Sequence, residues 1–275
     1  MTTQSISINI NLDGLRGELQ RSLQDVICLV STGLSANSNI DPNNLSLPTA
    51  IKHSFSSINM NESEFDEYYR QWIISNGFRD AIESISTFLE SANRVLSIWG
   101  LVKKQNSGES VTAEEWKHIF QDAGNKFHRL GLPDKIKHIN EQHQISVTEA
   151  LSEQVLSLNI ARNCYVHRKG IVSDRDANSD AELKVMWTHM HMFLMNEDGE
   201  QELIFGVPLE KESTVHVKRQ QKEKTFPIGT RLNFSVNEVS EMLWCFFLFG
   251  NELVMNISKF GELHGFVQPA DAQQG

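Results

Sequence analysis

A mainly α-helical protein with a small β insertion before its last helix is the expectation, and three stretches carry it. Across residues 62–104, Phe65, Tyr68, Tyr69, Trp72, Ile73, Ile82, Ile85, Phe88, Leu89, Val95, Leu96 and Trp99 recur at steps of three and four. That is the spacing of one face of an α-helix. Residues 236–260 form a second strongly apolar segment of helical length. Between them, at 183–234, the period drops to two: "LKVMWTHMHMFLMN", Glu197-Asp198-Gly199-Glu200 and "QELIFGV" read as a β-hairpin. "STVHVKRQQKEKTFPIGTRLNF" adds one or two further strands or a polar loop. Long helices that are apolar on one side pack against one another as a bundle.

Taken in order, residues 1–61 read as an N-terminal extension. It has a helix from about Asp13 to Val30 and then a loop, "STGLSANSNIDPNNLSLPTA", with turn-formers at Asp41-Pro42 and Pro48. Residues 62–262 form the main helical domain. Its first helix has no proline and an Asn76-Gly77 step where a kink is expected. Thr112 and Glu115 have the form of a capping box and open a helix toward His128. Gly131 and Pro133 punctuate, and a helix covers 133–143. Another starts near Ser146 to Thr148 and runs to His167. Arg168 and Lys169 close it, where cations suit the helix dipole, and Gly170 lies just past its end. Ser235 or Asn237 caps the last helix, and residues 263–275, ending in "VQPADAQQG", read as a disordered tail.

Composition excludes several classes. A net charge of −10 argues against a protein that coats nucleic acid through its overall field, though not against one with a local basic spot. The three cysteines, Cys28, Cys164 and Cys245, are widely spaced and lack a C-x-x-C pair, so a disulfide framework or zinc ribbon is not expected and a reducing cytoplasm is. "MTTQSISINI" lacks the basic and apolar regions of a signal peptide. The most apolar run, "MLWCFFLFG" at 242–250, is too short to span a bilayer and reads as a buried helix. No Walker loop, G-x-G-x-x-G, H-E-x-x-H or G-x-S-x-G occurs.

The informative stretch is "IARNCYVHRKGIV" at 160–172. On an ideal helix with Leu151 as origin, Val155, Leu158, Tyr165 and Val166 fall within about 60° of one direction, and Arg162 falls near the middle of that stripe. An unpaired guanidinium buried there would cost several kcal/mol, on the order given for buried ions. Arg162 must therefore snorkel past the helix end, pair with a carboxylate such as Glu64 or Glu83, or be reserved for an anionic ligand. His167 lies five residues on, about 140° around the helix, so the two side chains do not meet side by side on a straight helix. The spacing suits a cleft between helices or a seam between two copies.

Arg162-Asn163-x-x-x-His167, at the end of an amphipathic helix and followed by a short basic turn and "GIV", resembles the signature of the HEPN superfamily. The likeness covers about residues 62–262 in architecture and about a dozen residues in motif. It implies a HEPN-like helical bundle that forms a homodimer, with two motif helices across a shared cleft. It also implies a metal-independent endoribonuclease of a toxin–antitoxin or phage-defence setting. RNA would be the substrate, an antitoxin or regulatory protein a partner, and no cofactor or membrane would be involved. Some members are inactive modules that bind RNA or a partner protein and dimerise, which is the alternative. The β insertion departs from a minimal bundle.

The residue types fit that chemistry by themselves. RNA is cut when its own 2′-OH attacks the adjacent phosphate. The step needs a base, an acid and cationic stabilisation of the phosphorane. His167 is the residue of the motif whose ordinary titration range suits proton transfer near neutrality. Arg162 offers a planar fork of donors to phosphate oxygens. Asn163 would orient either of them, and Arg168 and Lys169 would hold neighbouring phosphates. His189 and His191 form an H-x-H pair that can ligate metal on a strand, but a third ligand is missing by spacing, and a plain strand face with Trp187 and Phe193 is the reading adopted. Lys218, Arg219, Lys222 and Lys224 read as a solvated basic run and as the second choice for substrate binding.

Overall fold

The structure, a computed structural model, describes residues 10–36, 61–196, 199–203 and 214–267. Residues 37–50 of the loop expected after the first helix, the turn at 197–198 and the end of the tail lie outside them. The described chain is mainly helical, with a three-stranded antiparallel sheet before the last helix. In order it forms α1 (Leu12–Ala36), α2 (Glu62–Asn106), α3 (Ala113–Lys117), a π-helical turn (His118–Ala123), α4 (Gly124–His128), α5 (Leu132–His143) and α6 (Glu149–Arg168). Strands β1 (Glu182–Asn196), β2 (Gly199–Glu202) and β3 (Val215–Pro227) follow, then α7 (Val236–Leu263). No helix among the described residues is long and apolar enough to cross a membrane.

Helix starts follow their capping chemistry. Thr112 Oγ1 accepts from the Glu115 backbone N–H at 3.2 Å, and the Thr112 N–H donates to Glu115 Oε2 at 2.8 Å. Ser235 and Glu238 repeat this reciprocal pair at the head of α7, at 3.2 Å and 2.6 Å. The expected helix from Thr112 toward His128 is broken into α3, the π-turn and α4. Residues 62–106 are helical throughout, and Gly77 permits a close approach. A Cβ there would lie 2.4 Å from Val30 Cγ2 of α1. The first helix is longer than expected and buries Leu15, Leu19, Leu23, Val26 and Val30.

Contacts divide the chain into two units interleaved along the sequence. The first comprises residues 1–24, 81–156 and 246–275. Trp99 stacks on Phe260 and Phe266, and Gly250 lets Leu19 and Phe88 close in on α7. Lys135 of α5 is buried there, and its ammonium donates to Glu90 Oε1 and Ser86 Oγ of α2, each at 2.5 Å. A cavity of about 380 Å³ has mostly apolar walls, among them Leu89, Ile139, Phe249 and Leu253.

The second unit comprises residues 25–80 and 157–245. Phe78, Tyr165, Trp187, Phe226 and Phe234 form its aromatic centre. β1 is the middle strand: it pairs with β2 through a tight hairpin, Asn196 opposite Gly199, and with β3 over thirteen positions from Glu182↔Pro227 to Leu194↔Val215. "VHVKRQQKEKTFP" is therefore one long strand. The alternation buries Leu183, Val185, Trp187 and Phe193 on one face of β1.

Candidate functional site

The motif lies on the last two turns of α6, all within the second unit. Leu151, Val155, Leu158, Ala161, Cys164 and Tyr165 are buried, so the burying arc is wider than a single stripe and only a narrow sector reaches solvent. His167 lies in that sector and is exposed. Val166, expected on the apolar stripe, is 39% exposed because it falls at the end of the helix.

Arg162 is half-buried. Its Nη1 donates to Asn163 Oδ1 at 2.9 Å, and its Nε is buried without a hydrogen-bond partner. No carboxylate among the described residues pairs with it. The guanidinium is thus oriented by a neutral amide and keeps both its charge and an unspent donor. An arginine engaged in a structural ion pair has its charge offset and some of its donors occupied. Arg162 and Asn163 are brought together. Arg162 and His167 share no bond in one chain, as their angular separation on α6 requires.

Arg168 and Lys169 part company. Arg168 Nε donates to Asp176 Oδ2 at 2.6 Å, and its Nη2 donates to Oδ1 of the same carboxylate, whose side chain is fully buried. Asp176 Oδ2 also accepts from the backbone N–H and the hydroxyl of Ser173, both at 2.9 Å. Burial would raise the Asp176 carboxyl, but the Arg168 guanidinium and Ser173 outweigh it and hold it below its ordinary value. The neighbouring Cys164 thiol moves the other way, pushed up to about 12 by burial and by Asp176, so it is no nucleophile near neutrality. Arg168 therefore straps the loop after α6 back onto the helix. Lys169 is exposed and its ammonium makes no bond among the described residues.

The turn itself is unusual. Lys169 and Gly170 both have left-handed backbones, φ 54° and 75°. Gly170 is required twice over, because a Cβ would also sit 3.2 Å from the Tyr165 ring. The chain then pairs with the segment before α7: Leu232 N–H donates to Gly170 O at 2.7 Å, and Val172 N–H to Thr230 O at 2.9 Å.

Asp176 and Ser173 did not emerge from the sequence reading. The one local signal is the Ser-x-x-Asp spacing in "SDRD", which reads as a turn, and the Asp176 N–H does donate to Ser173 O at 2.9 Å. His189 and His191 share a strand face with Trp187 and Phe193. His189 Nδ1 lies 2.9 Å from Glu241 Oε1, which is also 2.8 Å from the Lys222 ammonium. No group of three His, Cys, Asp or Glu among the described residues is arranged to hold a metal ion. The basic run of β3 is largely spent: Lys218 pairs with Glu200, Lys222 with Glu241 and Lys224 with Glu238, leaving Arg219 exposed on the opposite face.

Comparison with protein-family models, with curated proteins and with solved structures finds no match to this chain.

Proposed function

We propose that the protein is a HEPN-type endoribonuclease that cleaves RNA without a metal ion, acting as a homodimer in a toxin–antitoxin or phage-defence setting. The observation that carries this is the state of Arg162. It sits on a buried helix with a neutral orienting partner, no carboxylate among the described residues, and a buried Nε left unpaired. A cation kept in that state is one held for an anion that arrives from outside.

In the proposed step an imidazole takes the proton of the ribose 2′-OH and the 2′-oxygen forms a bond to the adjacent phosphorus. The bond to the 5′-oxygen breaks, and that oxygen leaves with a proton from a second acid. The products are a 2′,3′-cyclic phosphate and a 5′-hydroxyl. Arg162 stabilises the charge of the phosphorane, Asn163 fixes its guanidinium plane, and His167 moves the proton. One chain supplies one motif imidazole, about 140° around the helix from Arg162. A second copy of α6 would complete the acid–base pair and bring the two groups to one phosphate. Lys169 holds a flanking phosphate. An antitoxin or regulatory protein would cover this end of the helix.

The test is cleavage of total cellular RNA by the purified protein in the presence of a chelator, with mapping of both product ends. Arg162→Ala and His167→Ala should each lower the rate by about a hundredfold or more. Undiminished cleavage in either variant overturns the mechanism. RNA binding without any cleavage would make the chain a non-catalytic RNA- or partner-binding module instead.

A further inference from the structure

Lys169 is the unexplained residue of this region. A side chain with a Cβ resists the left-handed conformation, and at φ 54° lysine bears a cost that glycine would not. Such a conformation is kept where the surrounding structure over-determines it. Here it does. On the helix side, Arg168 grips the fully buried Asp176, which is also bound by Ser173. On the loop side, Gly170 and Val172 are bonded to Leu232 and Thr230, and the Arg231 guanidinium donates to Lys169 O at 3.4 Å. The side chain is exposed and packs no core, and the helix dipole asks only for a cation here, not for one held in this conformation.

We propose that Asp176, through Arg168, is a positioning residue that holds Lys169 left-handed, so that the ammonium stands two residues past His167 as a fixed contact for an RNA phosphate. The division of labour follows from the geometry. Of two adjacent cations at the end of α6, Arg168 is spent on the loop and Lys169 is displayed by it. The inference rests on the reading of this helix end as an RNA site.

The experiment measures binding of a short 2′-O-methyl oligoribonucleotide, which has no attacking hydroxyl, as a function of salt, beside thermal melting and cleavage of the matching ribo-oligonucleotide. Lys169→Gly should melt no lower than wild type, yet bind several-fold more weakly, with a log–log salt slope shallower by about 0.7, the loss of one phosphate contact on a single strand. Lys169→Arg should recover most of the affinity. Asp176→Asn keeps the lysine, and should still show the shallower slope in its folded fraction. Wild-type affinity and slope in Lys169→Gly overturn the phosphate contact. An Asp176→Asn protein that is merely less stable, with the slope unchanged, overturns the positioning role. Wild-type protein that binds the oligonucleotide but cuts no RNA removes the ribonuclease reading and leaves this one to be judged by the variants. Wild type that does not bind removes both.

Discussion

Arg162 and Arg168 lie six residues apart on one helix and have opposite fates. Arg168 meets a buried carboxylate that answers two of its donors, so it is structural. Among the described residues Arg162 bonds the Asn163 amide, and its Nε is buried without a partner. The same residue type is decided by its partner, and the partner of Arg168 comes from eight residues further along the chain. Gly170 shows how tightly this turn is specified. An alanine there would bear a left-handed φ of 75° and press a methyl to 3.2 Å from Tyr165. Gly170→Ala should destabilise the protein by about 1–3 kcal/mol, seen as a lower urea midpoint at unchanged slope. A midpoint equal to wild type would show that the turn relaxes freely.

Helix α7 illustrates how an element is set at its end. Ser235 and Glu238 satisfy each other's backbone N–H groups, and the Glu238 carboxylate also receives the Lys224 ammonium at 3.0 Å from β3. Burial would raise Glu238, but the Ser235 backbone N–H and Lys224 outweigh it and hold the carboxyl below its ordinary value. A depressed carboxyl contributes stability in full above its unfolded value and loses it as the pH falls through the folded one. Glu238→Gln should therefore cost about 1 kcal/mol at pH 7. The cost should shrink as the pH falls through the folded value, where the wild-type side chain itself becomes neutral. Denaturant melts at pH 7 and across the acid range measure this, and a constant cost would place the effect in shape rather than charge. The Thr112–Glu115 and Ser235–Glu238 boxes were legible because a cap is a local pattern of four residues. The pairing of β3 with β1 rather than β2 was not, because strand order depends on contacts between distant segments.

At the scale of the whole molecule, several cations are engaged internally: Lys135, Lys218, Lys222, Lys224 and Arg168 each hold a carboxylate, on a chain of net charge −10. The proposed RNA site is accordingly a local one, at Arg162 and Lys169, and its binding should weaken with salt. Stability should depend on acid in two stages. His143, 3.0 Å from Asn93 Oδ1, is held down to about 4 by burial and by the neighbouring His138. A histidine that resists protonation when folded loses stability as the pH falls from about 6.5 to about 4, because the unfolded chain takes up the proton first. Carboxylates with lowered values, Glu90, Asp176 and Glu238, and Glu115 at about 2, add a second loss below about 4.5. The melting temperature should drop by a few degrees between pH 7 and pH 4.5, and His143→Gln should flatten that first stage. An identical decline in the variant would assign it elsewhere.

The helices at 62–106 and 149–168, the last helix and the β insertion could all be read along the chain. Apolar period, capping and turn chemistry act between residues a few positions apart. Three things came only with folding: the interleaving of two contact units along shared helices, the burial of Asp176 against Arg168, and the absence of a described carboxylate at Arg162. Each is a question of which distant group fills a given space. Local spacing can pose that question, and only packing answers it, since a charged side chain on a helix looks the same in sequence whether its partner waits eight residues away, a hundred away, or in another molecule.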